Sequence, residues 1–449
     1  MRVALYVHCF FPDHYHGTEA YTLSVAKGLI SRGHEPIVVT AVFYGETPQG
    51  RLIERRVWED IQVISIDKNT IPVRTVRGSY DHPEMARIHR DILSELKPDI
   101  VHVCHLINHT ASLLDQLKEL NIPTVATLTD FFGICLTNKL EDADGALCAG
   151  PNASRVNCIS CFLKSADTRN SPWYARYASK SITRPVVARA LAMASNFGQN
   201  SILGARPLDI TQRPERLSEA MKIYRYAIAP TNYLRACYRA NGFGFPIKVS
   251  RFGVDIPRRQ KSRSSEKNII RFGFIGQIAP HKGVHLIVRA LAKANRSNVS
   301  LQIYGDLGQS PPYASMLLSE AEGFQIKFLG TFNLGQLADR LLDIDILIIP
   351  STWYENSPLI LLQALATGTP VIVSDVPGLT EFVVDGTNGL VVKRDDVHSL
   401  MTALCKIADS KSLLDQLTEG ARWDRTTDDM IDDVIDIYHK VLANGRLAS

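Results

Sequence analysis

The sequence predicts an α/β protein of two doubly wound parallel-sheet domains. Three observations point there. The chain has 449 residues, more than one hydrophobic core ordinarily supports. An alternation of strand, loop and helix begins at the first residues, and a second, more regular alternation restarts at Ile269.

Val3 to Val7 is an unbroken apolar run, so residues 2–7 are expected as a buried strand. Residues 18–31 follow as a helix ended by Gly33, and residues 36–42 as a second strand, which completes one βαβ unit. Further strands fit at 62–66, 100–103, 124–128 and 226–229, the last taken as the final strand of this domain. Between Cys135 and Tyr224 the alternation breaks into a Gly-, Asn-, Asp- and Cys-rich stretch and then helical segments, an insertion or the acceptor side of the first domain. Residues 242–246 are the candidate hinge. In the second half, strands are expected at 270–275, 300–304, 326–329, 344–349, 370–374 and 389–392, mostly separated by helix-length segments. The final helix, 428–442, carries Met430, Ile431, Val434, Ile435, Tyr438, Val441 and Leu442 on one face for docking. The expected division is 1–245, with a Cys-rich insertion at about 131–165, then 246–425, then 426–449 as a helix packing back on the first domain.

The net charge of +4 says little about partners, and a nucleic-acid partner is not expected. Charge is uneven, however: residues 169–225 hold ten Lys or Arg against Asp209, Glu215 and Glu219, interleaved with Trp173, Tyr174 and Tyr177. Two readings stand: a surface for anionic headgroups or an acidic acceptor, or a solvated helical face with packing aromatics. No apolar run reaches the roughly 18 residues of a membrane-spanning helix. Met1 to Phe11 lacks a small-residue cleavage site and is taken as a first strand, not a signal peptide. The expected location is therefore the reducing cytoplasm, with peripheral association at the inner membrane face left open, and the eight cysteines are thiols or metal ligands before disulfides.

Two segments carry chemistry. In the first, a strand ends at Pro350 and a helix follows, with Ser357 expected as N-cap, Pro358 at the first position and Gly368 just past the end. In a parallel sheet such a helix N-terminus sits at the carboxyl edge of the strands, where free N–H groups and the macrodipole favour a phosphate. Gln363 is the odd polar residue after the apolar 359–362, and Glu355 just upstream suits gripping sugar hydroxyls. The second segment, 272–284, runs strand, glycine-containing loop with Gly276, Gln277, Lys282 and Gly283, then helix. Small residues let backbone approach a ligand while the cation neutralises phosphate. The competing reading makes Glu355 a surface acid near a cap, Gln363 a satisfied core group and Lys282 a lysine in a turn.

Together these segments resemble a family 4 glycosyltransferase, a retaining nucleotide-sugar transferase of GT-B fold, in which two Rossmann-like domains face one another across a cleft. The resemblance runs from the opening strand and Gly17-Thr18-Glu19 to Asp385-Gly386-Thr387-Asn388-Gly389, and is most specific in the second half. It implies that Glu355 grips the donor sugar, that Gln363 holds the ribose hydroxyls, that Lys282 and Gln277 face the diphosphate, and that the loop at Gly17 closes over it. Asn356, Ser357, Pro358, Leu359 and Gly276 complete the implied donor set. It also implies front-face transfer with the leaving phosphate as base, no metal being needed for transfer, and a glycan or lipid-linked acceptor in polysaccharide or glycolipid synthesis. Three departures stand out. Gln363 replaces a second glutamate, Gln277 replaces an arginine, and Thr129 stands where the family often has a histidine, leaving Asp130 and His105 as candidates for that role.

Cys135, Cys148, Cys158 and Cys161 are spaced C-x12-C-x9-C-x2-C among loop-forming residues. Four thiols closing in C-x2-C suit a structural zinc or an iron–sulfur cluster; packing thiols or a latent disulfide is the alternative. His102, His105 and His109 are not expected to bind metal, since strand positions three apart do not share a face. The rival functions are a GT-B nucleotide-sugar epimerase and a non-catalytic sugar-nucleotide sensor. Oxidoreduction is disfavoured, because no G-x-G-x-x-G follows a strand.

Overall fold

A computed structural model describes residues 1–71, 75–165, 177–194, 207–256 and 269–446. The chain divides into two compact units, Met1–Ser250 with Asp428–Ser449, and Arg251–Thr427.

The first unit is built on an eight-stranded sheet: β1 (Arg2–Tyr6), β2 (Glu35–Val42), β3 (Ile53–Trp58), β4 (Ile61–Asp67), β5 (Ile100–Val103), β6 (Thr124–Thr127), β7 (Tyr226–Ala229) and β8 (Ile247–Val249). Their spatial order is β3-β4-β2-β1-β5-β6-β7-β8. All neighbours are parallel except β3 and β4, and Val3, Ala4, Leu5 and Tyr6 of central β1 are fully buried, as a strand covered on both faces requires. Two strands differ from the expectation. β3 is an antiparallel edge strand closed by the two-residue loop Glu59-Asp60, both left-handed, which hides the turn because neither is Gly or Asn. The final strand is β8 and not β7, and residues 242–246 lie inside the unit, with Phe243 and Phe245 buried in an edge-to-face cluster with Tyr224 and Tyr238.

The helix Thr427–Arg446 lays its apolar stripe on this unit from Asp428 onward. Ile431 occupies the space a Cβ on Gly28 would need, 2.5 Å away, and the Tyr438 hydroxyl bonds His102 Nδ1 at 2.7 Å. The basic stretch departs from the surface reading. Trp173 and Tyr174 lie outside the described residues, whereas Arg184 and Arg213 are buried and Arg216 pairs with Asp81 at 3.1 Å and with Asp115.

The second unit is a six-stranded, wholly parallel sheet: β9 (Ile270–Ile275), β10 (Val299–Tyr304), β11 (Ile326–Phe328), β12 (Ile346–Ile349), β13 (Val371–Ser374) and β14 (Gly389–Val392). The order β11-β10-β9-β12-β13-β14 means that the chain winds outward from β9 in one direction and then restarts beside it at β12. Between β9 and β12 the direction of winding reverses, and such a reversal opens a crevice at the carboxyl ends of the strands.

Candidate functional site

Both chemistry-bearing segments leave the sheet at that reversal. After β9, the chain passes Gly276 and Gln277 and makes a short 3₁₀ turn, Pro280–Lys282, ended by Gly283 at φ 74°. Gly283 must be glycine twice over, since a Cβ there would also meet the Pro350 carbonyl oxygen at 2.1 Å. The close approach is fastened by Thr352 N–H donating to the His281 carbonyl at 2.9 Å.

Fixed in this way, Lys282 reaches Glu355, with Nζ 2.7 Å from Oε1. The same oxygen accepts from Ser351 Oγ at 2.6 Å and Trp353 Nε1 at 3.0 Å, and the ammonium lies 5.0 Å from the Trp353 ring centroid. Burial alone would push this carboxyl up, but the Lys282 charge and the three donors outweigh it and hold Glu355 below the ordinary carboxylate range. Among the described residues, every hydrogen bond to the Glu355 carboxylate goes to Oε1, so Oε2 is the oxygen left to grip a ligand hydroxyl. Gly378 packs directly behind, where a Cβ would lie 1.3 Å from the Glu355 carbonyl oxygen.

The helix Leu359–Ala366 starts differently from the expectation. Ser357 is not its N-cap: it sits at φ 65°, and Pro358, in extended conformation, is the N-cap. Turned into the left-handed region, the Ser357 side chain caps nothing; its Oγ is buried without a partner, as is Asn356 Oδ1. The helix therefore begins with no side chain on its first N–H groups, beside two unsatisfied polar atoms, an arrangement that favours an anionic, hydrogen-bonding ligand. Gly368, at φ 77°, ends the helix as expected, and Gln363 is half-buried and makes no side-chain hydrogen bond among the described residues.

In the first unit, His105 follows β5 and Asp130 follows the adjacent β6, and the two side chains meet at 2.9 Å. Ile107 N–H donates to His105 Nδ1 at 3.1 Å, so the proton resides on Nε2 and points at the Asp130 carboxylate. Thr129 contributes no comparable group, its hydroxyl being turned to the Cys104 carbonyl at 3.4 Å. A small groove beside the pair is lined by Cys104, Thr127, Phe132 and Tyr238. His8, which drew no attention in the sequence, lies 4.3 Å from the His105 ring and 3.2 Å from buried Glu19, which also accepts from Cys9 at 3.0 Å. The only available signal was position, just past β1 and upstream of Gly17. Gly17 opens the helix Gly17–Ser31, and nothing lies within 4 Å of a Cβ placed on it. His102 and His109 serve the core, bonded to Tyr438 and Thr127, and to the Val7 carbonyl, respectively.

The cysteine quartet surrounds a small hairpin and a helix. Cys135 ends a turn, Cys148 follows the bridge between Glu141 and Leu147, and Cys158 and Cys161 stand one turn apart on Val156–Ser165. Burial first, then neighbouring cysteines of the quartet, pushes both helical thiols up to about 12. Among the described residues, the group whose ligand atoms already lie within 4.8 Å of one another is His8, Cys9 and Glu19; the quartet's sulfurs are more widely spread.

Comparison with known proteins follows this geometry. Residues 255–424 match the family model described as Glycosyl transferases group 1, and residues 15–138 match that described as Glycosyltransferase Family 4. A D-inositol 3-phosphate glycosyltransferase of Rhodococcus erythropolis is 29% identical over 222 residues, covering 44% of this chain and 49% of the relative. A glycogen synthase of Mycobacterium tuberculosis is 28% identical over 192 residues, 40% of this chain and 44% of the relative. The chain thus spans about half the length of these curated relatives. Among solved structures, Anabaena HepE in complex with UDP and glucose superposes with a TM-score of 0.63 at 15% identity, covering 98% of this chain and 100% of that one.

Proposed function

Because the chain belongs to the retaining glycosyltransferase family 4, with a GT-B fold, we propose that it moves a sugar from a nucleotide-sugar donor held in the second unit to a glycan or glycolipid acceptor. The observation that carries this reading is the Lys282–Glu355 pair at the winding reversal, beside a helix N-terminus with no side-chain cap. Glu355 Oε2 takes a hydroxyl of the donor sugar. The Lys282 ammonium and the first N–H groups of Leu359–Ala366 take the diphosphate, with Gln277 beside them. Gln363, on the exit face of that helix, takes the ribose.

The bond from the anomeric carbon to the diphosphate breaks, and the acceptor oxygen bonds that carbon on the same face. The acceptor's proton passes to the departing phosphate oxygen. What this chain must supply is stabilisation of that departing charge and orientation of the sugar, which the fixed Lys282 and Glu355 provide without reorganisation. His105 and Asp130 are the proposed acceptor-side polar groups. A glycolipid acceptor is supported by the exposed apolar side chains of Tyr177, Ile182, Val186 and Met193, which follow one another along residues 177–193. No described helix is long and apolar enough to cross a membrane.

The reading is tested with a panel of nucleotide sugars, followed by thermal shift on wild type and on Glu355→Ala. One donor should stabilise the wild type and lose its effect on the variant. Absence of a shift with every donor sinks the assignment, and donor binding without transfer to any glycan or lipid acceptor turns the protein into a sensor.

A further inference from the structure

The segment between Asp130 and Val156 is a long connection for the interior of a compact unit, and connections of that length need something besides their own backbone to hold one conformation. Its only regular feature is the hairpin around 141–147, closed by Asp142 N–H on the Ala146 carbonyl at 2.8 Å. Five residues within it are left-handed: Asn138, Leu140, Gly145, Gly150 and Arg155. Phe131, Phe132, Ile134 and Leu140 are buried at its start, but from residue 141 to 155 no side chain is buried to offset such a backbone. The cysteines, by contrast, stand at each of its structural corners, and Cys161 Sγ faces the Glu141 carbonyl at 3.9 Å across from the hairpin.

Two further features concern charge. Cys148 Sγ receives the Gly150 N–H at 3.4 Å and the Asn157 amide at 3.7 Å, two donors that would support an anionic sulfur, and as a thiol it also donates to the Gly150 carbonyl at 3.4 Å. Arg213 is buried at 2% exposure, with Nη2 on the Phe132 carbonyl at 2.6 Å and Nη1 without any partner. No carboxylate among the described residues lies within ion-pair distance of it. The guanidinium lies over the Phe132 ring at 4.8 Å and the Tyr80 ring at 5.9 Å, which offset part of its burial, and the remaining cost favours a negative group beside it. The groups whose negative charge would act on it most are Cys135, then Asp130 and Cys158.

We infer that Cys135, Cys148, Cys158 and Cys161 hold one tetrathiolate metal centre, zinc or an iron–sulfur cluster, whose net negative charge is balanced by Arg213. Four thiolates around zinc carry a net charge of about −2, and a cubane cluster on four cysteines is likewise anionic. The sulfurs then draw together, to about 3.8 Å apart for zinc at its usual bond length. The centre acts through the turn that precedes it: Cys135 N–H bonds the Phe131 carbonyl at 2.7 Å, and Phe132 N–H bonds Asp130 Oδ1 at 2.8 Å. Metal binding thereby holds the carboxylate that faces His105.

The test is metal content of the full chain purified without chelator. Wild type should carry roughly one zinc per chain, or iron with acid-labile sulfide and a visible absorption band. Cys158→Ser and Cys161→Ser should each drop that content to trace, while Cys405→Ser leaves it unchanged. Arg213→Met should release metal to a competing chelator on the order of tenfold faster, with Arg213→Lys intermediate. Should Arg213→Met not fold, exchange of wild type with cobalt gives a second reading: intense thiolate charge-transfer absorption supports four sulfur ligands. Wild type devoid of metal with all four thiols reactive in the native state, or a disulfide within the quartet, overturns the site. Wild-type release rates in folded Arg213→Met overturn the charge partner.

Discussion

The carboxyl ends of the two sheets handle buried polarity in opposite ways. At the reversal between β9 and β12, Glu355 keeps its charge, because Lys282, Ser351 and Trp353 converge on one of its oxygens. Around β1, β5 and β6 the buried groups are histidines whose charge is suppressed. Burial pushes His102 down to about 3 and His109 down to about 4, and His8 and His89 lie well below their usual value for the same first reason. An ion pair fixed before the ligand arrives suits a highly charged diphosphate.

The largest effect should come from breaking the pair. Glu355→Gln keeps the shape and removes the charge, and kcat/KM for transfer should fall by roughly 10²- to 10³-fold, as when one preorganised electrostatic group is lost. Lys282→Met should cost a similar factor and in addition destabilise the free protein by about 3 kcal/mol, because it leaves Glu355 buried and unpaired. Calorimetry and initial rates on the two variants separate these outcomes. Equal stability of Lys282→Met and wild type would mean that the carboxylate is not held as its geometry implies.

Two glycines sharpen the same contrast. Gly378→Ala should displace the Glu355 backbone, since its new methyl has 1.3 Å of room, whereas Gly17→Ala meets nothing within 4 Å. Thermal unfolding should therefore fall markedly for the first and by less than about 1 kcal/mol for the second. A donor that still stabilises Gly378→Ala as it does wild type would show that the loop carrying Glu355 does not define the site.

Acid should separate the units. A histidine whose folded pKa lies below its unfolded value takes a proton more readily when unfolded. Its stabilising contribution is complete above about pH 6.5 and is lost as pH falls toward the folded value. For His102 and His109 that window runs from 6.5 down to about 3 and 4. Glu355 behaves in the same sense but in a lower window: its contribution is present above its ordinary value of 4.5 and is lost only as pH falls through its lower folded value. Between pH 7 and 5, hydrogen exchange corrected for intrinsic rate should accelerate in β1, β5 and β6 and much less in β12 and β13; in the second unit half-buried His285, on the helix Val284–Ala294, contributes in the same direction. Uniform acceleration in both sheets would contradict it, and His102→Gln should flatten part of the first unit's response.

Much of this was legible in the residues, and the exceptions have physical causes. Continuous apolar runs located β1 and β12, because strands covered on both faces leave no polar alternation to interpret. β3 escaped because its hairpin turns on Glu59-Asp60, without the glycine or asparagine that advertises left-handed backbone. β8 escaped because three residues are too few to show a period. At the site, Glu355 and Lys282 were recognisable by residue type and position. The role of Ser357 was not, because the capping rule assumes extended backbone at a serine that is in fact left-handed. His8 and Arg213 were invisible for another reason: each matters through a partner distant in sequence, which no local pattern encodes.

The smallest effect expected is also the finest probe of the donor side. Gln363 is half-buried, one helical turn below Leu359, and makes no side-chain hydrogen bond among the described residues. If it faces the ribose, Gln363→Glu replaces neutral hydrogen bonds with charge-assisted ones, worth about 1 kcal/mol more, and the donor KM should fall about three- to tenfold. Because the ribose is remote from the reacting carbon, ground and transition states gain alike, so kcat should hardly change. The new carboxylate is half-buried, so the free variant should melt lower than wild type and recover when donor binds. A higher KM, or a melting deficit that donor leaves in place, would put Gln363 outside the ribose site and confine the preorganised region to Lys282, Glu355 and the start of the helix.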